Sequence, residues 1–328
     1  MNVAVIGAGR IGKIHAANAA THPALTVKYV VDPIGAAADR LATEVGAIAA
    51  TLDDVLSDRS VEGVIIASST DTHLDFSVRA IEAGKAVFCE KPIDLGLEKA
   101  KSAAAHFEAP TARFFLGFNR RFDPHFARLK ARLSSGEMGR LETLHIISHD
   151  PAPPPIDYVK VSGGLFRDMT IHDFDMARWL LGEEPVAVYA AAACLVDPAI
   201  GAAGDVDTAK TILRTESGKL CVISNSRRSG YGYDQRIEAY CAAGSLRVGN
   251  VAVSTLESWG EGGTQSEPLQ NFFLDRYAEA YRAEMAHFAD MLAGKQPLVG
   301  FADGIKALAI AVAAARSHAS SACMAISN

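Results

Sequence analysis

Between Gly164 and Trp179 the chain reads GLFRDMTIHDFDMARW, and within it Asp168, His172 and Asp175 stand four and three residues apart. On a helix that spacing puts the three side chains on one face. Met169, Phe174, Met176 and Trp179 are then among the apolar residues left to face a core. A carboxylate beside an imidazole can remove a proton near neutral pH, because the acid orients the ring and stabilises its charged form. Such a pair suits proton removal from a secondary alcohol, provided that a hydride acceptor is held as well. The plain alternative is a helix histidine satisfied in place, with Asp168 favoured by the helix N-terminus.

The start of the chain supplies the acceptor's binding pattern. Asn2–Ile6 is an apolar run of the kind a strand buried on both faces shows. Gly7-Ala8-Gly9-Arg10-Ile11-Gly12 follows at once, and Ile14 to Ala20 reads as helix. In that context Gly7 allows the tight turn, Gly9 lets the backbone approach a pyrophosphate, and Gly12 lets helix and strand pack closely. Free N–H groups of the helix start, at Arg10 and Ile11, would receive the diphosphate. A second strand, Thr26–Val31, ends in Asp32, twenty residues beyond Gly12, where this fold offers a carboxylate to the adenosine ribose. A carboxylate there repels a 2′-phosphate, so NAD is expected rather than NADP. The bland reading is an acid that caps a turn with Pro33.

Further strands place further candidates. Val61–Ser68 leads into Ser69, Thr70 and His73, at the carboxyl end where doubly wound sheets bind ligands. Asp71 or Thr72 also suits the N-cap of the helix that runs on to Ala83. Ala86–Cys89 ends in Glu90-Lys91-Pro92. A lysine pinned at a strand end is well placed to stabilise negative charge on a substrate oxygen. Phe114–Phe118 leads to Asn119, Arg120 and Arg121, of which at least one arginine suits an ordinary ion pair.

Composition sets the limits. The 328 residues allow two domains, and 49% hydrophobic with 21% charged residues is ordinary for a soluble protein. A net charge of −6 argues against a nucleic-acid partner. The longest apolar run, Ala307–Ala315, is too short for a membrane span. The first residues already read as strand rather than leader, so a cytoplasmic protein is expected. Five cysteines without a CxxC pair suggest reduced thiols, and no metal site is expected. In the second half, Leu144–Ser148, Val186–Ala191, Ala209–Leu213, Lys219–Ser224 and Arg236–Tyr240 read as strands. Several of them alternate in polarity, as an antiparallel sheet with one covered face does. Leu274–Leu292 reads as a long helix, and Phe301–Ser317 as an Ala-rich one returning to the first domain. The expected fold class is α/β: a Rossmann dinucleotide-binding domain over 1–120, then an α+β domain with a large, mainly antiparallel open sheet over 121–300. Residues 301–328 are expected to form the returning C-terminal helix.

VIGAGRIGKIH, SSTDTH, EKP, GFNRRFDP and DMTIHDFD occur in this order, and with them the chain resembles the glucose–fructose oxidoreductase/inositol dehydrogenase family over nearly its whole length. Its bacterial inositol dehydrogenase branch is the most similar. The resemblance implies NAD-dependent oxidation of myo-inositol to its 2-keto product. Related alternatives are scyllo-inositol, a pyranose or a sugar acid; a non-catalytic NAD(H)-binding sensor is a further one. It implies His172 as general base, Lys91 at the reacting hydroxyl, and Asp168 at a neighbouring hydroxyl and paired with the histidine. Asp175, Asn119, Arg120, His149 and Tyr231 are implied as further substrate-side residues, with Tyr233 competing for the role of Tyr231. Gly7, Gly9, Arg10, Ile11, Gly12, Asp32, Ser69, Thr70, His73, Glu90 and Lys91 are implied around the cofactor. A homotetramer is implied as the assembly.

Overall fold

The structure, a computed structural model, describes residues 1–109 and 111–327. They divide into two compact units: Met1–Phe122 with Glu279–Leu308, and Asp123–Ala278 with Ala309 onwards.

The first unit is built on a parallel sheet of six strands: β1 (Asn2–Ile6), β2 (Thr26–Val31), β3 (Ile48–Ala49), β4 (Val61–Ile66), β5 (Ala86–Glu90) and β6 (Phe114–Gly117). Their order is β3-β2-β1-β4-β5-β6. Chain order reverses direction between β1 and β4, and a sheet of this kind binds its ligand at that switch point. Val3, Ala4, Val5, Val64, Ile65, Ile66, Val87 and Phe88 are all fully buried, which is why these strands are continuously apolar. Helix Ala278–Leu292 covers part of the sheet. At Gly63 of β4 a Cβ atom would stand 2.8 Å from Phe288 and 3.0 Å from Leu292, so only glycine admits that helix so close. Phe301, which opens helix Phe301–Ser320, stacks on Phe107 at 3.7 Å between ring centroids.

The second unit carries a seven-stranded sheet: β7 (Leu141–His149), β8 (Pro185–Ala193), β9 (Thr208–Thr215), β10 (Leu220–Ser226), β11 (Asp234–Cys241), β12 (Gly244–Val248) and β15 (Met324–Ala325). The order is β12-β11-β7-β10-β9-β8-β15. Only β7 and β10 run parallel; every other pair is antiparallel. β13 (Glu257–Gly260) and β14 (Gly263–Ser266) form a separate exposed hairpin.

The domain limits differ from those expected. Residues 279–300 belong with the nucleotide-binding unit, and the last helix is divided between the units at Leu308. The expected single helix over 274–292 is interrupted at Tyr277, whose main chain leaves the helical region. No helix among the described residues is long and apolar enough to cross a membrane.

Candidate active site

In the first unit the glycine loop joins β1 to helix Arg10–Thr21. Gly7 has φ +104°, and a Cβ there would meet the Ala67 carbonyl oxygen at 2.4 Å. A Cβ at Gly12 would stand 1.9 Å from the Gly7 carbonyl oxygen, so turn and helix close on each other only with glycine at both. Gly9 differs: it is exposed, and a Cβ there would meet nothing within 4 Å. A side chain at Gly9 would instead fill the space in front of the helix start. No side chain of the N-cap Gly9 caps that start, where Arg10 is exposed and Ile11 half-buried, and the N-terminus of a helix favours an anion. Asp32, directly after β2, accepts from the Ala8 N–H at 2.7 Å and from the Ile34 N–H at 2.8 Å. These donors fix the carboxylate beside the loop, and the bond from the Ile34 N–H is the turn-capping contact. The loop therefore fits a dinucleotide.

The other residues expected at the cofactor divide. Ser69 is exposed and Thr70 half-buried at the start of helix Thr70–Glu82. Ser69 takes the N-cap position without a side-chain bond, and Thr72 bonds back to the Ser69 carbonyl at 2.7 Å, so neither Asp71 nor Thr72 is the cap. His73 is 2% exposed. Its Nδ1 lies 2.8 Å from the Pro92 carbonyl oxygen and its Nε2 3.1 Å from that of Ser68. Burial lowers its pKa against the pull of both carbonyls. Through these two contacts the ring ties the β4 and β5 loops together.

Glu90 is also engaged internally: its Oε1 is 2.6 Å from His15 Nε2, and its Oε2 accepts from the Lys91 N–H at 3.2 Å. Lys91 itself is half-buried, and its bond to Pro92 is cis. Asn119 and Arg120 are 4% and 5% exposed in the turn after β6. Arg121 forms the ordinary ion pair, with Asp303 at 3.0 Å.

In the second unit the acid–histidine segment is two helical pieces. Leu165–Asp168 closes one turn, Met169 breaks the pattern, and Thr170–Leu181 continues. Asp168 therefore stands at the end of its own turn, with His172 half-buried in the first turn of the next helix. Tyr158 donates to Asp168 Oδ1 at 2.8 Å, and the Arg227 guanidinium donates to Oδ2 through two nitrogens, each at 3.4 Å. Arg227 is 1% exposed and also faces Asp205 at 3.8 Å. Asp205 in turn accepts from the Leu165 N–H at 3.1 Å and presses on Gly164, where a Cβ would come within 2.8 Å. Thr170 donates to Asn225, which donates to the buried Asp173 at 2.7 Å, so the helix start is tied to the end of β10.

Asp175 is not on the open side. It is 1% exposed and lies 3.5 Å from Arg178, whose guanidinium also grips Glu184 through two bonds at 2.6 and 2.8 Å. The pair with Arg178, three residues on along the same helix, accounts for its burial. His149 ends β7 and bonds Ser224 at 2.8 Å. Burial lowers its pKa, with Asp234 pulling it back up. Of the two tyrosines, Tyr233 is buried against Tyr277, whereas Tyr231 is 58% exposed and donates to Asp234 at 2.5 Å. Arg227, Tyr158 and Asp205 were not among the expected residues; a lone buried arginine in SRRSG carries no spacing signal.

Residues 1–118 match the oxidoreductase family with an NAD-binding Rossmann fold, and residues 126–247 match the GFO/IDH/MocA C-terminal domain. The chain belongs to the GFO/IDH/MocA oxidoreductase family. Inositol 2-dehydrogenase of Rhizobium meliloti (strain 1021) is 47% identical to this GFO/IDH/MocA protein over 317 residues, 96% of each chain. Myo-inositol 2-dehydrogenase of Thermotoga maritima is 42% identical over 320 residues, 97% of this chain and 96% of that one. The crystal structure of scyllo-inositol dehydrogenase from Lactobacillus casei, with bound NAD(H) and scyllo-inositol, superposes with a TM-score of 0.93 at 27% identity, covering 100% of this chain and 99% of that one. As a GFO/IDH/MocA member this protein is an NAD-dependent oxidoreductase.

Proposed function

We propose that the protein oxidises myo-inositol to 2-keto-myo-inositol with NAD, with His172 as general base. The observation that carries this reading is Asp168, its two oxygens held by Tyr158 and Arg227 four residues before His172. An acid so held can keep a neighbouring hydroxyl in register while His172 accepts the proton of the reacting one. Lys91 donates to the reacting oxygen and offsets its charge as the proton leaves. NAD, when bound at the Gly7–Gly12 loop, accepts the hydride from the same carbon. Tyr231, with its exposed ring, and His149 serve as additional polyol contacts. The choice of inositol follows the two curated relatives, each covered almost throughout.

Tyr189, Ile212, Leu220 and Tyr240 are exposed on one face of the seven-stranded sheet, which supports assembly into a homotetramer through that face. The test of function is NADH absorbance with myo-inositol, scyllo-inositol and glucose, with NADP as control. Turnover fastest with myo-inositol and weak with NADP is the expected result. Turnover only of another polyol overturns the substrate and keeps the chemistry; NADH binding without any turnover overturns both.

A further inference from the structure

The first unit buries an acid that the reaction above does not use. Glu284, on helix Ala278–Leu292, is 0% exposed, and neither of its carboxyl oxygens has a hydrogen-bond partner. Tyr281 and Phe288, three residues before it and four after, share its helix face. Tyr281 meets the His15 ring at 5.7 Å and Phe288 meets Phe88 of β5 at 5.9 Å, so this face lies against helix Arg10–Thr21 and β5. The charged and titratable groups in front of Glu284 are therefore His15 and Glu90, with Tyr281 on its own helix; Lys91 adjoins Glu90. His15 is itself 0% exposed and touches Glu90 through Nε2. The Glu90 carboxylate is enclosed: His15 on one oxygen, the Lys91 N–H on the other, and Gly117 of β6 alongside, where a Cβ would stand 3.3 Å from it.

An ionised carboxylate with no donor, shut away from water next to a second carboxylate, is a very costly arrangement, and such a group takes up a proton instead. Burial, and then the charge of Glu90, push the Glu284 pKa well above the ordinary range. We infer that Glu284 is a positioning residue, kept as a neutral acid so that Glu90 is the single carboxylate held between His15 and the Lys91 main chain. A second negative charge at Glu284 would repel Glu90 and loosen the turn that presents Lys91. The inference rests on the role proposed above for Lys91.

Two variants and one control test it. In E284Q an amide replaces the neutral acid at nearly the same shape; in E284L the polar atoms are gone. Difference infrared spectra of wild type against E284Q at neutral pH should show the carbonyl band of a protonated carboxylic acid in the wild type. A raised pKa stabilises the fold fully below the pKa of an unfolded glutamate, about 4.3, and that stabilisation is lost as pH rises through the folded value. The melting temperature of E284Q relative to wild type should therefore rise from about pH 5 to about pH 9. E284Q and E284L are both uncharged and should keep wild-type kcat at neutral pH. As pH rises and Glu284 ionises, wild type should lose about tenfold in kcat relative to both variants, with NADH affinity little changed, as a small misplacement of Lys91 would cause.

No acid band, or an E284Q melting temperature that keeps a constant offset from wild type across that pH range, overturns the neutral state. Profiles of kcat against pH that coincide for wild type, E284Q and E284L, beside an inactive K91A, overturn the positioning role alone. A K91A enzyme that turns over normally overturns the Lys91 assignment and the positioning role with it, while the infrared band still decides the state of Glu284.

Discussion

Replacing Arg227 by leucine should unfasten Asp168, the acid of the proposed catalytic pair. Arg227 is 1% exposed and faces two carboxylates, Asp168 through two nitrogens at 3.4 Å and Asp205 at 3.8 Å. Removing one partner of a buried ion pair costs about 3–5 kcal/mol, because the remaining charge is left unmatched. Here the contacts are long, each carboxylate keeps 13% exposure, and Tyr158 still holds Asp168, so the lower end applies, about 3 kcal/mol. For a unit of this size that is a fall in melting temperature of roughly 6–12 °C. Scanning calorimetry with and without NADH measures it. The decisive assay is the cycle with Asp168→Asn. If Arg227 mainly answers the Asp168 charge, neutralising that residue should recover about 1–3 kcal/mol in the leucine background. Turnover of R227L should fall in kcat and rise in KM together, since Asp168 then lacks a fixed orientation. An R227L protein that melts like wild type and turns over normally would refute the reasoning, as would strict additivity with Asp168→Asn.

Other outcomes follow from the same geometry. His172→Ala should retain NADH binding, followed by fluorescence, and lose about 10²–10⁴-fold in kcat. Gly9→Leu should fold, since the space there is open, yet abolish NAD binding in calorimetry; Gly12→Ala, whose Cβ would stand 1.9 Å from the Gly7 carbonyl, should fail to give soluble protein. Asp32→Ala should weaken NAD and raise relative use of NADP, read from kcat/KM for each. Burial pushes Asp207 up, but N–H donors from Leu195, Asp197 and Val196 outweigh it and hold its pKa at about 2. That stabilisation is present above the unfolded value and lost as pH falls towards 2, so Asp207→Asn should flatten the acid limb of a denaturation curve.

The elements that hold the nucleotide were readable because each has a local cause. VAVI alternates with nothing polar, and the glycines sit where a Cβ collides or where space must stay open. Asp32 ends its strand at the distance the fold sets. The acid–histidine segment was readable as residues but not as shape. Its spacing suits one helix, while the Asp205 contact to Leu165 and the Arg227 bonds to Asp168 hold its first turn in place. Those contacts join residues 40 and 59 positions apart, and no local pattern encodes them. The two contacts of His73 were hidden for the same reason, since its partner Pro92 lies on the following loop. The hairpin β13–β14 is polar throughout and exposed, so it lacks the alternation by which strands are recognised.

The nucleotide-binding unit is discontinuous in the chain, and this sets an order of events during synthesis. When Phe122 has left the ribosome, all six strands of its sheet exist, but the helix that fits over Gly63 lies about 150 residues further on. At usual elongation rates this leaves the sheet face bare for roughly 8–30 s. A nascent chain in that interval exposes an apolar surface to chaperones or to neighbouring chains. A fragment cut at Phe122 would carry the whole NAD loop and still lack the cover, and the Glu284 carboxyl, that complete its interior.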